Sequence, residues 1–316
     1  MSNDISYTTE EIAKLLKISK LTVYDLIKKG ELPSYRVGKQ MRVDASDLEA
    51  YKNRAKSVNH PEHGGLPLAS GKPASAASAG GQLPIVITGQ DISLDILARY
   101  IEKNCAGVRP LRSYAGSLDS LISMYRGEAD IVSTHLLDGD TGEYNLPYIR
   151  KLLVGSSYIV VNLLSRKAGF FVSRGNPLHI SHWNDLKRVD VTLINREKGS
   201  GARVLLDEQL RLHRISPREL AGYDQEETNH LGVAGKVASG DANVGIGIEK
   251  AASIVGNIDF IPMIDERYDL VLLKKRDNLD FIASVVAILN SEPFRKELSA
   301  ISGYDLSLTG KVLYET

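Results

Sequence analysis

The strongest constraint on the fold is a unit of strand, small-residue turn and helix that recurs through the later part of the chain. Its clearest copy is Val191–Leu210. The apolar run Val191–Ile194 is typical of a buried strand, and apolar residues recur at helical spacing over Ala202–Leu210. Further copies predict strands at 83–88, 110–114 and 129–134 and helices at 92–103 and 118–126. Repetition of this unit predicts a parallel α/β sheet.

The turn in the clearest copy has the composition of an anion-binding site. Gly199, Ser200 and Gly201 let the backbone approach a ligand closely. The helix that follows begins with unpaired N–H groups at the positive end of its dipole. Arg196 and Arg203 flank the turn and would add charged donors. The alternative is a purely structural turn in an α/β sheet.

Other polar residues stand where ligands meet such sheets, beyond the carboxyl ends of the strands or at the start of a helix. These candidates are Gln90, Asp91, Ser117, His135, Glu226, Thr228 and His230. The acidic and histidine residues among them lack a compact metal-ligand spacing, so neither a metal nor a cofactor is expected. The sequence has no P-loop and no nucleophile elbow. This disfavours an enzyme without excluding one, since catalytic groups need not be adjacent in sequence.

Two further apolar runs, 157–164 and 268–273, are candidate strands that cross between two α/β lobes. The second lobe would hold Val191–Leu210, a helix at 226–239 and strands at 243–248 and 260–263. A helix at 279–290 and the C-terminal segment would return to the first lobe. The predicted architecture is a clamshell with a cleft between its lobes.

The first 56 residues predict a separate small module. One helix begins at Thr8 or Thr9, a second begins near Ser19 and ends at Gly30, and a third covers 45–53. Between the second and third helices, alternating apolar residues on either side of a Gly-Lys pair predict a β-hairpin wing. The two short helices with a tight turn indicate a helix-turn-helix.

Basic residues concentrate on the second helix and the wing, although residues 1–56 have eleven Lys and Arg against eight Asp and Glu, a net charge of about +3. The start of the second helix is where base contacts normally arise. The candidate DNA contacts are Ser19, Lys20, Thr22, Tyr24, Lys28, Arg36, Lys39 and Arg42. The alternative is a small helical domain that binds protein.

Composition limits the remaining possibilities. Lys plus Arg equals Asp plus Glu at 39 each, so any attraction to nucleic acid must be local. Pro, Ala, Ser and Gly dominate residues 57–82, which predicts a flexible linker between domains at 1–56 and 83–316. The single Cys105 excludes an internal disulfide. Without a secretory signal or a long apolar run, the expectation is a cytoplasmic protein with no membrane contact.

The first module resembles the excisionase-type winged helix-turn-helix, a relative of the mercury-resistance regulators. The motifs that carry this resemblance are T-x-E-x-A-x-x-L, T-V-Y, G-x-L-P, R-V-G, R-V and D-L, in this order over residues 7–53. The resemblance implies that the second helix enters the major groove of double-stranded DNA and that the wing touches the DNA backbone or minor groove. A module of this size reads few base pairs, so a homodimer on a two-fold site is expected.

The remainder resembles the type II periplasmic-binding-protein fold, including solute-binding domains fused to helix-turn-helix modules and, more distantly, molybdate-binding proteins. The motifs are G-Q-D at 89–91, H-L-L-D at 135–138, T-G-E-Y-N at 141–145, N-R-E-K-G-S-G-A-R at 195–203, G-Y at 222–223, E-x-T-x-H at 226–230 and G-I-G-I at 245–248. The resemblance implies a ligand-responsive transcription regulator that senses a small oxyanion, with molybdate or tungstate favoured. The alternative is an enzyme or cofactor-biosynthesis protein that acts on a small anionic metabolite and carries an added DNA-binding module.

Overall fold

The computed structural model describes residues 6–16, 20, 23, 26–27, 32–37, 40–45, 47–48, 51 and 82–316. The chain divides into two compact units, residues 1–77 and 78–316. The division falls inside the predicted linker, of which residues 57–81 lie outside the described part of the chain.

The first unit contains a three-stranded antiparallel sheet of β1 (Ser6–Thr8), β2 (Tyr35–Val37) and β3 (Gln40–Asp44), in the order β1-β3-β2. Strands β2 and β3 confirm the predicted hairpin wing. Strand β1 was not predicted, because three residues are too few to show an alternating pattern. Helix α1 (Thr9–Leu16) begins at the expected cap, where Thr8 Oγ1 accepts the N–H of Glu11 at 3.3 Å.

Five buried residues form the core of this unit: Ile12, Val23, Leu32, Val43 and Leu48. They belong to the first helix, the predicted second helix, the wing and the predicted third helix. All described residues of those two later helices are helical. The apolar positions of the sequence at Ile12, Val23 and Val43 are therefore buried, whereas Leu15, on the apolar stripe predicted for the first helix, is 50% exposed.

The second unit is built on one curled ten-stranded sheet with the order β5-β4-β6-β11-β7-β10-β8-β9, in which β12 and β13 pair with β7. Its strands are β4 (Leu83–Thr88), β5 (Val108–Ser113), β6 (Ile131–Thr134), β7 (Tyr158–Ser173), β8 (Leu193–Arg196), β9 (Glu226–Glu227), β10 (Val244–Ile248), β11 (Ile258–Leu273), β12 (Tyr304–Asp305) and β13 (Val312–Glu315). Its α-helices are α2 (Ser93–Asn104), α3 (Ser117–Tyr125), α4 (Leu146–Leu152), α5 (Gly201–Leu212), α6 (His230–Ala238), α7 (Glu249–Ile254), α8 (Leu279–Asn290) and α9 (Glu292–Ser299).

The two crossing strands are longer than the sequence predicted. Strands β7 and β11 have 16 residues each and pair antiparallel from Ser173–Ile258 to Tyr158–Leu273. The strand predicted at 260–263 is therefore wrong as a separate element, because it is the first half of β11. The prediction stopped β7 at Leu164 because charged residues follow. One of these, Arg166, is buried and paired with Glu266 on β11.

The strands β7 and β11 run through both lobes, so that each lobe contains a part of each strand. In the first lobe β4, β5 and β6 are parallel, and α2, α8 and α9 pack on one face of them around Ile87, Leu97 and Phe294. In the second lobe β8 and β10 are parallel, and α5 packs against them. The two-lobed α/β clamshell predicted from the sequence is confirmed.

One predicted helix, 226–239, is wrong at its start. Residues Glu226–Glu227 form β9, which pairs parallel to β8, and the helix begins only at His230. Asn229 caps this helix by accepting the N–H of Gly232 at 2.8 Å. A two-residue strand is defined by its partner rather than by its own pattern, so periodicity did not detect it.

Candidate functional site

A cavity lies between the two lobes at the first turns of four helices, α2 and α3 from the first lobe and α5 and α6 from the second. The space open to the centres of water molecules measures about 40 Å³, which is room for a few waters or one small ion. The cavity is lined by Gly89, Gln90, Asp91, Ala115, Gly116, Ser117, Ser133, His135, Arg166, Arg196, Ser200, Gly201, His230, Ile248 and Tyr268.

The first turns supply backbone donors to this cavity. The N–H groups of Ser117 and Gly201 donate to no other residue in the described part of the second unit. Such groups have no intrahelical acceptor, and they lie at the positive end of the helix dipole. Ser200 is the N-cap of α5 and accepts the N–H of Arg203. The turn that the sequence singled out is therefore the start of a helix at the cavity wall.

The lobes touch each other around the cavity, so the conformation is closed. The N–H of Leu118 in the first lobe donates to the carbonyl of Gly199 in the second at 2.9 Å. The N–H of Gly139 donates to Glu208 Oε2 at 2.8 Å. A Cβ placed on Gly116 would lie 2.8 Å from the Gly199 oxygen, closer than real Cβ atoms approach. Glycine at this position lets the two turns meet.

Gln90 joins the two lobes through the buried Arg196. Gln90 Oε1 accepts a hydrogen bond from Arg196 Nη2 at 2.7 Å, and its Nε2 donates to Glu197 Oε1 at 3.2 Å. Glu197 also accepts from Arg196 Nε and Nη2 at 2.8 Å each. The charge of Arg196 is thus balanced by its sequence neighbour Glu197. Gln90 belongs to the first lobe, so its bonds to Arg196 and Glu197 are contacts of the closed conformation.

A second buried arginine, Arg166, lies in the middle of strand β7, beside β11. Its Nη1 is 2.5 Å from Asp91 Oδ2, its Nε donates to Glu266 Oε1 at 2.7 Å, and its guanidinium lies 4.5 Å from the centre of the Tyr268 ring. Burial raises the pKa of Glu266 above its usual value, although Arg166 opposes the shift. This cluster places one cation and two carboxyl groups beneath the cavity.

Both carboxyl oxygens of Asp91 are engaged by other protein groups. Oδ1 accepts the N–H of Ser93 at 2.8 Å and the hydroxyl of Tyr304 at 2.6 Å, while Oδ2 faces Arg166. Burial penalises the carboxylate, but Arg166 and these hydrogen bonds outweigh the penalty and hold the pKa of Asp91 below its usual value. Its negative charge is therefore engaged by the first turn of α2 and by Arg166.

Both cavity histidines have lowered pKa values because they are buried. Burial, followed by the charges of Arg166 and Arg196, lowers the pKa of His135 well below 6.5, and burial with Arg196 does the same for His230. Ser117 Oγ lies 2.9 Å from His135 Nδ1 and accepts the His135 backbone N–H at 3.2 Å. His230 Nδ1 is buried and has no hydrogen-bond partner among the described residues.

The structure brings eight of the twelve residues singled out as ligand contacts to the cavity: Gln90, Asp91, Ser117, His135, Arg196, Ser200, Gly201 and His230. Gly199, Arg203, Glu226 and Thr228 do not line it. Arg203 Nη1 donates to Glu226 Oε1 at 2.7 Å, and the Arg203 guanidinium lies 4.3 Å from the centre of the Tyr223 ring. The Arg203 side chain therefore forms its ion pair with Glu226 inside the second lobe and does not line the cavity.

Sequence reasoning missed the cavity residues that lie within the long strands, above all Arg166 and Tyr268. Both lie in the paired strands β7 and β11, which pass between the two lobes, and neither is near a Gly-rich turn. The available signal was a charged pair, Arg166 and Lys167, between two strongly apolar segments of one strand. A buried arginine of this kind needs paired acceptors, which places it at a polar site.

Two further observations limit the chemistry. Among the described residues, no group of three His, Cys, Asp or Glu side chains is placed to hold a metal ion. None of the described helices combines the length and the apolar character needed to cross a membrane.

The DNA-contact residues predicted in the first unit are only partly described. Lys20 pairs with Glu10, Arg36 lies exposed on β2, and Arg42 Nη1 on β3 donates to Ser6 Oγ at 3.1 Å. The others, Ser19, Thr22, Tyr24, Lys28 and Lys39, lie outside the described residues. Arg36 and Arg42 both lie on the hairpin, but Arg36 pairs with Met41 and Arg42 with Tyr35, so their side chains lie on opposite faces of it, and their contact with DNA stays a prediction.

The fold and cavity define a helix-turn-helix module joined to a two-lobed binding domain. A model of the PBP superfamily domain matches residues 98–290, and one of a helix-turn-helix domain matches residues 6–56. The chain belongs to the PBP superfamily. It is 51% identical over 319 residues to uncharacterized protein YvgK of Bacillus subtilis, covering all of both chains.

Solved structures with this fold are more distant in sequence. The sulfate-binding protein SubI of Mycobacterium tuberculosis superposes with a TM-score of 0.51 at 14% identity, over 71% of this chain and 86% of that one. A cysteine-to-serine mutant of Corynebacterium glutamicum OxyR with bound hydrogen peroxide superposes with a TM-score of 0.50 at 12% identity, over 93% of this chain and 89% of that one. These likenesses show the fold.

Proposed function

We propose that the chain is a one-component transcription regulator that binds DNA through its helix-turn-helix module and senses a small oxyanion between its two lobes. The observation that carries the proposal is the closed cavity lined by the first turns of four helices and by two buried arginines. We further propose that it acts in the cytoplasm, where its DNA target lies, and as a homodimer. Light scattering on the free and DNA-bound protein tests the dimer, and a monomer in both states would contradict it.

An anion fits this cavity because its donors outnumber its free acceptors. Ser117 and Gly201 offer unpaired N–H groups, and the dipoles of the helices favour negative charge at their starts. The carboxyl oxygens of Asp91 are occupied by Ser93, Tyr304 and Arg166. With the arginine charges balanced, attraction comes from neutral donors, which suits a fully hydrogen-bonded dianion.

Molybdate or tungstate is the favoured ligand by the resemblance to molybdate-binding proteins, and the likeness to a sulfate-binding protein is consistent with an oxyanion of this shape. A small organic anion is the competing candidate. Binding closes the clamshell, because the ligand contacts both lobes and therefore favours the state in which they meet. We propose binding without turnover, so the ligand is recovered unchanged after incubation.

A thermal-shift panel tests this proposal with molybdate, tungstate, sulfate, phosphate and small carboxylates. One of these anions should raise the melting temperature of the wild type by mass action. Ser117→Ala removes a hydroxyl at the cavity and should reduce that shift. Ser284→Ala is the matched control, because Ser284 is a half-buried residue of α8 that does not line the cavity and whose hydroxyl donates to the carbonyl of Asp280.

The proposal fails if no anion shifts the wild type. It also fails if the Ser117 variant responds as strongly as the Ser284 control. Consumption of the ligand during incubation would support the enzyme alternative instead.

A further inference from the structure

We infer that the sensed oxyanion is not the bare molybdate or tungstate that the family resemblance favours but the organic candidate, and that it carries an apolar group which lies in a groove adjoining the cavity. The groove is lined by Gln90, Asp91, Ile92, Asn229, His230, Leu231, Ile248, Lys250, Ala251 and Ile254. The inference rests on the proposed function, because the cavity must hold the oxyanion for the groove to hold its substituent.

The groove is large and apolar where the cavity is small and polar. By the same measure that gives 40 Å³ for the cavity, the groove offers about 270 Å³. Its walls include three large apolar side chains that are about half exposed, Ile92, Leu231 and Ile254. Ile92 belongs to the first lobe and the other two to the second. A group seated between them would be held by both lobes, as the oxyanion is.

The groove adjoins the cavity. Gln90, Asp91, His230 and Ile248 line both. These four residues form the boundary between the two spaces, so a substituent on an anion in the cavity that is directed past them would reach the groove. A bare tetrahedral ion would fill the cavity and leave the apolar walls of the groove exposed to water.

His230 lines both spaces and carries an unpaired polar atom. Its Nδ1 is buried without a partner in the described part of the chain, although a buried polar atom normally has one. A Cβ placed on Gly247 would lie 3.0 Å from this Nδ1, so the unpaired atom faces strand β10 at the boundary of the two spaces.

A second opening beside Gln90 is a poorer exit for the substituent of an anion. It is lined by Tyr114, Asp119, Glu197, Thr228 and neighbouring residues, and its two carboxylates repel an anion. The apolar groove instead has Lys250 at its side, with Nζ 5.2 Å from the centre of the Tyr304 ring. Charge therefore favours the apolar groove for a ligand with a negative head.

The experiment compares matched pairs of probes by isothermal titration calorimetry with the full chain. Phenyl phosphate against methyl phosphate, and benzenesulfonate against methanesulfonate, keep the head group and change only the apolar part. The phenyl member of one pair should bind about tenfold more tightly, since burial of a ring of this size in a half-open groove contributes at least this factor. The two pairs also identify which head group the cavity accepts.

Leu231→Gln should remove most of this preference while leaving the affinity for the methyl member unchanged, because Leu231 does not line the cavity. Leu279→Gln is the control, since Leu279 is exposed to a similar extent, 49% against 46%, and lines neither the cavity nor the groove. Both substitutions are at exposed positions and should leave folding intact.

Equal affinities within both pairs, or a preference that survives Leu231→Gln, would overturn the inference. Tight binding of molybdate with no binding of any organic probe would overturn it too, while leaving the proposed function in place. Failure of every anion, organic or inorganic, would instead remove the proposed function itself.

Discussion

Alanine at Gly116 should block closure of the clamshell without disturbing either lobe. Gly116 has φ −66° and ψ 164°, a conformation that alanine adopts freely, so the substitution costs nothing in the backbone. Its Cβ would lie 2.8 Å from the oxygen of Gly199 and 3.0 Å from the nitrogen of Ser200, both in the opposite lobe. These are backbone atoms at a helix start, which cannot move aside as a flexible side chain would.

The size of the effect follows from the packing. An ordinary contact near 3.4 Å requires the two turns to separate by about 0.6 Å, and overpacking of this kind costs roughly 1–3 kcal/mol. Since that cost falls only on the closed state, it raises the ligand dissociation constant by about fivefold to 150-fold. At a ligand concentration of 100 times the wild-type constant, ligand stabilisation falls from about 2.7 kcal/mol to between about 1.8 and about 0.3 kcal/mol.

Differential scanning fluorimetry measures this loss with the anion that gives the largest wild-type response. A stabilisation of about 2.7 kcal/mol raises the melting temperature of a domain of this size by roughly 5–10 °C, and the Gly116→Ala shift should be at most about two-thirds of that. Gly256→Ala is the control, because a Cβ there meets nothing within 4 Å. Equal shifts in the two variants would refute the closed conformation as the ligand-bound one.

Three further predictions follow from the buried charges and the wing. Asp91→Asn breaks an ion pair with a buried arginine and should cost about 3 kcal/mol in urea unfolding; a loss below about 1 kcal/mol would contradict the burial of that pair. His135 and His230 have pKa values well below 6.5 in the folded protein, so only the unfolded chain takes up their protons as the pH falls from 7.5 to 5.5. Stability should therefore decrease as the pH falls through 6.5, by on the order of 1 kcal/mol per histidine at most, and a double His→Gln variant should show a flatter urea-midpoint profile than the wild type. Arg36→Ala should weaken DNA binding several-fold on every sequence and lower the slope of log affinity against log salt by about one in fluorescence anisotropy; an unchanged slope would remove the wing from the interface.

The elements that the sequence predicted best are those whose pattern is local. Strand Leu83–Thr88 and helix Leu279–Asn290 begin and end where the apolar periodicity places them. The turn before α5 was found because its glycines and its serine cap are adjacent in sequence. In each case, the signal lies within a dozen residues and needs no distant partner.

The features that the sequence missed depend on distant partners. Strand β7 continues past Leu164 because Arg166 is neutralised by Glu266 and Asp91, which lie 100 and 75 residues away along the chain. Arg203 was interpreted as a ligand contact because it follows the turn, but Glu226 on the short strand β9 holds it inside the second lobe. The Gly-rich turn therefore predicted where the cavity lies, but it did not predict which charged residues line it.

The central claim is that a ligand between the lobes changes DNA binding by the same chain. We would select genomic fragments with the full-length protein and measure its affinity for the best fragment by fluorescence anisotropy, with and without the anion that stabilises it most. The account predicts an affinity change of about fivefold or more with the wild type and a much smaller change with Gly116→Ala at the same anion concentration. An affinity for DNA that is the same with and without a bound anion would contradict it.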